Sequence, residues 1–225
     1  IEEIDSNDRF YRLRLRRNMQ SWRTNRLPYV VTHDMVDNDH DEVLNHLRTA
    51  NLINRPVVVK RGDLYHMWYT GFNRQGSLLG YATSPDGKFW RRMSPKPVLS
   101  AEKPWEKACV MCPHVIWDEE AKLWKMWYSA GERNEPNAIG DATSRDGLKW
   151  AKHAANPIFC AHPRNDWEKH KVTACQVEKR GDWYVMFYIG FRDEPHAQIG
   201  IARSKDGVTD WQRHPANPII RPGYE

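Results

Sequence analysis

The sequence repeats one pattern of apolar and turn residues three times, at a period of sixty residues. Glycine and aspartate recur at that interval, and the tryptophan that follows recurs within one residue of it. The recurring residues are Gly80, Gly140 and Gly200, then Asp86, Asp146 and Asp206, then Trp90, Trp150 and Trp211. A period this regular predicts a repeat architecture whose units are similar supersecondary structures packed side by side.

Each repeat contains four short apolar segments. In the second repeat they are Pro113–Ile116, Leu123–Tyr128, Ala138–Thr143 and Lys149–Trp150, with polar or Asp-Gly turns between them. Alternating apolar positions, aromatic enrichment and Asp-Gly turns are typical of antiparallel hairpins. Four such strands in each consecutive repeat predict the blade of a β-propeller. We therefore expect an all-β fold with four-stranded blades at about residues 54–95, 110–153 and 173–214.

The S-x-D-G-x-x-W segment that closes each repeat has a structural explanation. Ser and Asp side chains bond turn backbone, Gly accepts a positive φ, and Trp packs between sheets. We expect the three aspartates of these turns to be structural and not catalytic.

The chain is expected to divide into an extension, residues 1–53, and the propeller, residues 54–225. Apolar residues at helical spacing predict one short helix over Asp41–Leu52, with acidic residues at its beginning. Three blades are fewer than the four to eight that usually close a ring. We expect further blades, or another subunit, to complete it.

Composition narrows the possible partners. The net charge is +5, with much of the excess in the arginine-rich segment 9–26. Such a segment is either a nucleic-acid arm or a solvated face, and we favour the second because the repeats carry no basic stripe. The sequence has no run of eighteen apolar residues, so no membrane span is expected. We expect no nucleic acid, membrane or cofactor among its partners.

Four cysteines give little support for a metal site. Cys109 and Cys112 form a single C-x-x-C with no second pair, so zinc is not expected. Cys112 and Cys175 fall at equivalent positions of two repeats, where buried free thiols close to the propeller axis are the simplest interpretation.

The succession N-P-[IV] (Lys96-Pro97-Val98 in its first copy), W-E, M-[WF]-Y and S-x-D-G-x-x-W recurs over residues 54–222 and resembles the five-bladed β-propeller glycosidases of glycoside hydrolase families 32, 43, 68 and 130. The resemblance implies a carbohydrate substrate and carboxylates at the axis-facing starts of the innermost strands. The corresponding segments here are Arg55-Pro56, Met111-Cys112-Pro113-His114 and Thr173-Ala174-Cys175, and none contains an acid.

Carboxylates elsewhere are therefore the candidates for catalysis. Glycosidic cleavage needs one protonated acid at the leaving oxygen and one carboxylate acting as base or nucleophile. Glu106 and Glu168 follow tryptophans in the linkers between repeats, although recurrence in register also suits a structural role. Asp34 and Asp37 lie in the densest acidic stretch and could reach over the axis. The alternatives for that stretch are solvated acids at a helix start and, less well matched, a calcium loop.

The loops expected at the pocket mouth carry charged, amide and imidazole side chains suited to sugar hydroxyl groups. The predicted substrate-binding residues are Arg74, His114, Arg133, Glu135, His170, Arg192, Glu194 and His196. For each histidine, a solvated or internally bonded ring is the alternative.

Three functions are compatible with these patterns. The first is an enzyme that cleaves glycosidic bonds, either a hydrolase or a phosphorylase. The second is a carbohydrate-binding or interaction propeller without catalysis, which the missing axial acids favour. The third and weaker interpretation is a sialidase relative, suggested by the S-x-D-G-x-x-W turn.

Overall fold

The computed structural model describes residues 53–73, 76–132 and 135–223. In these ranges the chain forms strands joined by short turns, with 3₁₀ turns at Pro104–Glu106 and Asp166–Glu168. The strands are β1 (Ile53–Arg61), β2 (Leu64–Asn73), β3 (Gly76–Ser84), β4 (Arg91–Arg92), β5 (Cys109–Asp118), β6 (Leu123–Glu132), β7 (Glu135–Ser144), β8 (Ala151–Lys152), β9 (Phe159–Cys160), β10 (Lys171–Arg180), β11 (Trp183–Asp193), β12 (His196–Ser204) and β13 (Gln212–Arg213).

The strands form three consecutive antiparallel units of four. Sheet 1 is β1-β2-β3-β4, sheet 2 is β5-β6-β7-β8, and sheet 3 is β10-β11-β12-β13. One parallel pairing, Ser77 with Cys109, connects sheets 1 and 2, and β9 adds to β7. The first strands are neighbours, because β1 packs beside β5 and β5 beside β10. The prediction of an all-β fold built from four-stranded sheets is confirmed, whereas the helix predicted over residues 41–52 lies outside the described residues.

The S-x-D-G turns have the same bonding in all three sheets. In sheet 2 the Ser144 hydroxyl accepts the Gly147 amide at 2.8 Å, and Asp146 Oδ1 accepts the Leu148 amide at 2.9 Å. Gly147 has a φ of 75°, in the left-handed region that glycine adopts without a Cβ penalty. The aspartates of these turns therefore bond the backbone, as the sequence predicts.

The recurring glycines on the third strands allow two rings to approach the backbone. A Cβ on Gly140 would lie 2.8 Å from Tyr128 Cζ and 2.9 Å from the Trp105 ring. At Gly200 the corresponding contacts are Tyr188 at 2.8 Å and Trp167 at 2.4 Å. These distances are shorter than van der Waals contact, so the linker tryptophans can cover the sheets only where glycine stands.

Buried tryptophans connect each sheet to the next. The indole N–H of Trp68 donates to the Gly147 carbonyl at 3.0 Å, and that of Trp127 donates to the Gly207 carbonyl at 2.8 Å. Both rings are fully buried. The position equivalent in sheet 3 is Phe187, which has no N–H to donate and is partly exposed.

A second pair of positions at these interfaces differs from sheet to sheet. Sheet 1 has His66 bonded to Tyr81 at 2.6 Å, whereas sheet 2 has Lys125 and Asp141 at the same positions. Asp141 is 1 % exposed, and its Oδ2 atom has no hydrogen-bond partner among the described residues. Burial raises the pKa of Asp141 to about 7, with Lys125 opposing the shift and Asp206 adding to it.

None of the helical segments in the described ranges is long and apolar enough to cross a membrane.

We predict that Asp141→Asn stabilises the protein at neutral pH. Because the folded pKa lies above the ordinary value of 3.8, the stability linked to Asp141 is complete below about pH 4 and is lost as pH rises towards 7. At pH 7.5 the variant should unfold with a free energy about 1–3 kcal/mol greater than wild type, and the difference should shrink at pH 4.5. Urea unfolding across this pH range measures it.

The control for this prediction is Asp182→Asn, whose side chain is 88 % exposed. It should follow the wild-type pH profile. A difference between wild type and Asp141→Asn that does not change with pH would contradict the assignment.

Candidate functional site

The first strand of every sheet contains a β-bulge at the same place. Register shifts fall between Asn54 and Val57, between Met111 and His114, and between Thr173 and Cys175. Each bulge holds a non-glycine residue in the left-handed region: Arg55 at a φ of 46°, Cys112 at 52° and Ala174 at 43°. Such conformations cost on the order of 1–3 kcal/mol, and bulges that re-aim side chains are common beside active sites.

Two of the bulges are held by hydroxyl groups of the preceding sheet. Thr70 Oγ1 accepts the amide of Cys112 at 3.0 Å, and Ser129 Oγ accepts the amide of Ala174 at 2.8 Å. Thr70 and Ser129 are buried and occupy equivalent positions on β2 and β6. The bulge geometry is therefore tied to the packing between sheets.

We call the residues Arg55, Cys112, Thr173 and Cys175 at these bulges the inner-strand site. Burial raises the pKa of Cys112 to about 11, an effect that the nearby Arg55 guanidinium opposes and the Cys109 thiol increases. Burial also raises the pKa of Cys175 strongly, and Cys112 adds to that shift. Both thiols are therefore protonated at neutral pH. The expected equivalence of Cys112 and Cys175 is wrong, because the left-handed bulge residue that matches Cys112 in sheet 3 is Ala174.

The inner-strand site contains no carboxylate. Its one charged member is Arg55, which is exposed, and the hydroxyl of Thr173 is buried without a hydrogen-bond partner among the described residues. Within the same ranges, no group of three or more His, Cys, Asp or Glu side chains is placed to hold a metal ion.

Glu106, one of the predicted catalytic acids, lies in a buried network. It is fully buried, and its carboxylate accepts the Tyr128 hydroxyl at 2.8 Å and the Lys152 ammonium at 2.7 Å. Burial alone would raise its pKa, but bonds from the Glu102 amide, from Lys152 and from the Lys103 amide outweigh burial and lower it. An ionised carboxylate with these partners anchors the linker to sheet 2.

Glu168 has the same surroundings in sheet 3. It is fully buried, accepts the Tyr188 hydroxyl at 2.8 Å, and forms an ion pair with Arg213 at 2.7 Å. Because neither Glu106 nor Glu168 reaches solvent, the geometry favours the structural alternative for both.

Four predicted substrate-binding residues come together at one end of sheet 3. His170 bonds Glu194 at 2.9 Å, and Lys171 reaches the same carboxylate at 3.4 Å. Arg192 contacts Asp193 at 3.2 Å, and His196 bonds the other oxygen of that carboxylate. The hydrogen bond from His170, followed by that from Lys171, lowers the pKa of Glu194. We call this exposed group the rim cluster.

His114 is placed differently. Its Nε2 atom lies 2.8 Å from the Val177 carbonyl of β10, and its ring stands 6.3 Å from that of Trp127. Burial lowers its pKa. This bond between β5 and β10 favours the internally bonded alternative.

Other predicted site residues lie outside the described part of the chain. They are Asp34, Asp37, Arg74, Arg133 and the side chain of Glu135.

Sequence reasoning missed two features. Asp141 stands where the other repeats have Tyr81 and Ile201, and an acid unique to one repeat at an otherwise uncharged position was the available signal. An open cavity of about 360 Å³ beside Trp167 is lined by Arg192, Gln198, Asn217 and Arg221 among others, and nothing in the repeats indicates it.

No model of a known protein family matches the chain, and no curated protein matches it either. Solved structures do. The structure of a BT0996 complex with RGII has 24% identity and a TM-score of 0.64, matching 77% of this chain and 59% of that one. A family 117 glycoside hydrolase, Zg3597 from the marine bacterium Zobellia galactanivorans, has 16% identity and a TM-score of 0.67, matching 80% and 60%.

A β-1,2-mannobiose phosphorylase from Listeria innocua in complex with β-1,2-mannobiose has 17% identity and a TM-score of 0.61, matching 76% of this chain and 46% of that one. The chain thus spans 59% and 60% of the first two structures. Families 117 and 130 are five-bladed β-propeller glycosidases, which confirms the resemblance seen in the sequence. At these identities the likeness shows the fold.

We predict that Glu106→Gln destabilises the protein, because the Lys152 ammonium, only 6% exposed, would lose its buried charged partner at 2.7 Å and keep only the exposed Glu102 at 3.7 Å. Removing one member of a buried ion pair leaves the other charge buried without its partner, which lowers the free energy of unfolding by roughly 3 kcal/mol. Urea unfolding at pH 7 measures the loss.

The matched control is Glu119→Gln, which removes an ion pair with Lys122 whose side chains are 75% and 71% exposed. It should leave the free energy of unfolding close to that of wild type, because exposed ion pairs contribute little. A Glu106→Gln protein as stable as wild type but unable to cleave a glycoside would instead support the catalytic assignment.

Proposed function

We propose that the chain belongs to a carbohydrate-active enzyme that cleaves glycosidic bonds at the end of the propeller where the inner-strand bulges lie. The observation that carries this proposal is the set of three left-handed bulges at Arg55, Cys112 and Ala174, on strands that pack side by side. The shared fold with glycoside hydrolases and a mannoside phosphorylase supports it.

Each bulge interrupts the regular pleat of the first strand of its sheet, and these first strands pack beside one another. A regular strand would point alternate side chains into the sheet interfaces, whereas a bulge re-aims one of them. At Cys112 and Ala174 the bulge is held by a hydroxyl group from the neighbouring sheet, so the protein itself fixes the geometry there. Preformed geometry of this kind suits substrate positioning.

In this proposal, the catalytic carboxylates come from residues outside the inner-strand site. Glycoside cleavage needs two carboxyl groups about 5–10 Å apart across the scissile bond. Since Glu106 and Glu168 are buried in ion pairs, Asp34 and Asp37 are the favoured suppliers of at least one acid. The rim cluster, with Glu194 and Arg192, offers hydrogen-bond donors and acceptors for sugar hydroxyl groups.

The proposal includes further blades, from the same protein or from another subunit, around the same axis. Sheet 3 presents Phe187, Ile189 and Ile201 at the positions that carry interface residues in sheets 1 and 2, and all three are partly exposed. Covering these apolar side chains with another sheet would stabilise the protein, because it removes apolar surface from water.

The second candidate is a carbohydrate-binding propeller without catalysis. The absence of any carboxylate from the described inner-strand site favours it.

The test is hydrolysis and phosphorolysis of a panel of p-nitrophenyl glycosides by the 225-residue chain and by Asp34→Asn and Asp37→Asn variants. Loss of a general acid or base lowers kcat by about 10²–10⁴-fold, so at least one variant should lose that much activity. Asp39→Asn, in the same acidic stretch, is the control and should retain full activity.

Turnover that survives both substitutions would reject these two aspartates. Glycan binding without turnover on any substrate would reject the enzyme in favour of the binding propeller.

A further inference from the structure

We propose that the guanidinium of Arg55 binds an anionic group at the inner-strand site, either the carboxylate of a uronic acid residue or inorganic phosphate. This inference rests on the proposed function and names the substrate chemistry of the same site.

Arg55 is the candidate for binding an anion because of its position in the first inner strand. It occupies the bulge of β1 at a φ of 46°, and its side chain is exposed. Among the described residues it forms no ion pair. A guanidinium offers a planar fork of N–H donors that matches a carboxylate or a phosphate in two parallel bonds.

Among the described residues, the bulge residues of the other two inner strands are uncharged. The thiols of Cys112 and Cys175 are protonated at neutral pH because burial raises the pKa of each. The acids of the rim cluster already have cationic partners, since Glu194 pairs with Lys171 and Asp193 pairs with Arg192. Among the four residues of the inner-strand site, Arg55 is therefore the one charged group.

Thr173 is the second, independent observation. It is 8 % exposed, and its Oγ1 atom has no hydrogen-bond partner among the described residues. A buried hydroxyl without a partner costs free energy that a ligand can recover. Thr173 adjoins the β10 bulge, at the same end of the inner strands as Arg55.

Two sources of the anionic group fit this chemistry. One is the carboxylate of a uronic acid residue in the glycan. The other is inorganic phosphate, which is a co-substrate in phosphorolysis. Both would bond the guanidinium in the same way, and the experiment separates them.

The experiment is isothermal titration calorimetry of the 225-residue chain at low salt with paired probes. The pairs are methyl glucuronoside with methyl glucoside, methyl galacturonoside with methyl galactoside, and methyl mannuronoside with methyl mannoside. Sodium phosphate is titrated separately. Charge-assisted bonds lead us to expect at least about tenfold tighter binding of one uronoside than of its neutral partner, or saturable phosphate binding.

Three variants assign the effect to the guanidinium. Arg55→Gln should abolish the anion preference, and Arg55→Lys should retain part of it, because charge remains while the fork is lost. Arg91→Gln, an exposed arginine on β4 away from the bulges, is the matched control and should leave binding unchanged. Circular dichroism and the unfolding midpoint establish that each variant is folded.

The outcomes separate this inference from the proposed function. A uronoside preference that depends on Arg55 supports the carboxylate source, and Arg55-dependent phosphate binding supports the phosphate source. Binding or cleavage of neutral glycosides, with no Arg55-dependent anion effect, would overturn this inference and leave the proposed function intact. Arg55-dependent phosphate binding by a chain that binds no glycoside would support this inference and count against the proposed function.

Discussion

The structure depends on hydrogen bonds that connect each sheet to the next. Trp68 and Trp127 bury their rings between sheets and donate their indole N–H groups to carbonyls of the Asp-Gly turns that follow, at 3.0 and 2.8 Å. Burial of a large apolar ring stabilises the folded protein, but the polar N–H of the ring requires a hydrogen-bond partner. The turn carbonyl provides that partner, so the position of each sheet is set by a tryptophan of the previous one.

The inner-strand site follows from this arrangement. Once the sheets are placed, the hydroxyl groups of Thr70 and Ser129 reach the bulge amides of the neighbouring inner strands. The strain of the left-handed residues is thereby offset by packing elsewhere, which is how strained backbone persists at functional sites. The site is thus a product of contacts between sheets and not of any single sheet.

The glutamates of the W-E motif illustrate the limits of motif reasoning. Their recurrence in register is visible in the sequence and is compatible with either catalysis or structure. The buried partners Lys152 and Arg213 lie 46 and 45 residues further along the chain (152 − 106 and 213 − 168), and only folding brings them to the carboxylates. The residues of the rim cluster are closer together in the chain, because Arg192 to His196 span the turn between β11 and β12 and His170 directly precedes β10.

The sequence alone determined the strand content, the sixty-residue repeat, the turn chemistry and the glycine positions, because each depends on residues a few places apart. Alternation, Asp-Gly turns and the need for glycine beneath a ring are local properties. The bulges, the burial of Glu106, the unpartnered Oδ2 atom of Asp141 and the effect of the Arg55 charge on the pKa of Cys112 were decided by the tertiary structure. They depend on which sheet faces which, and therefore on contacts between residues that are distant in the chain.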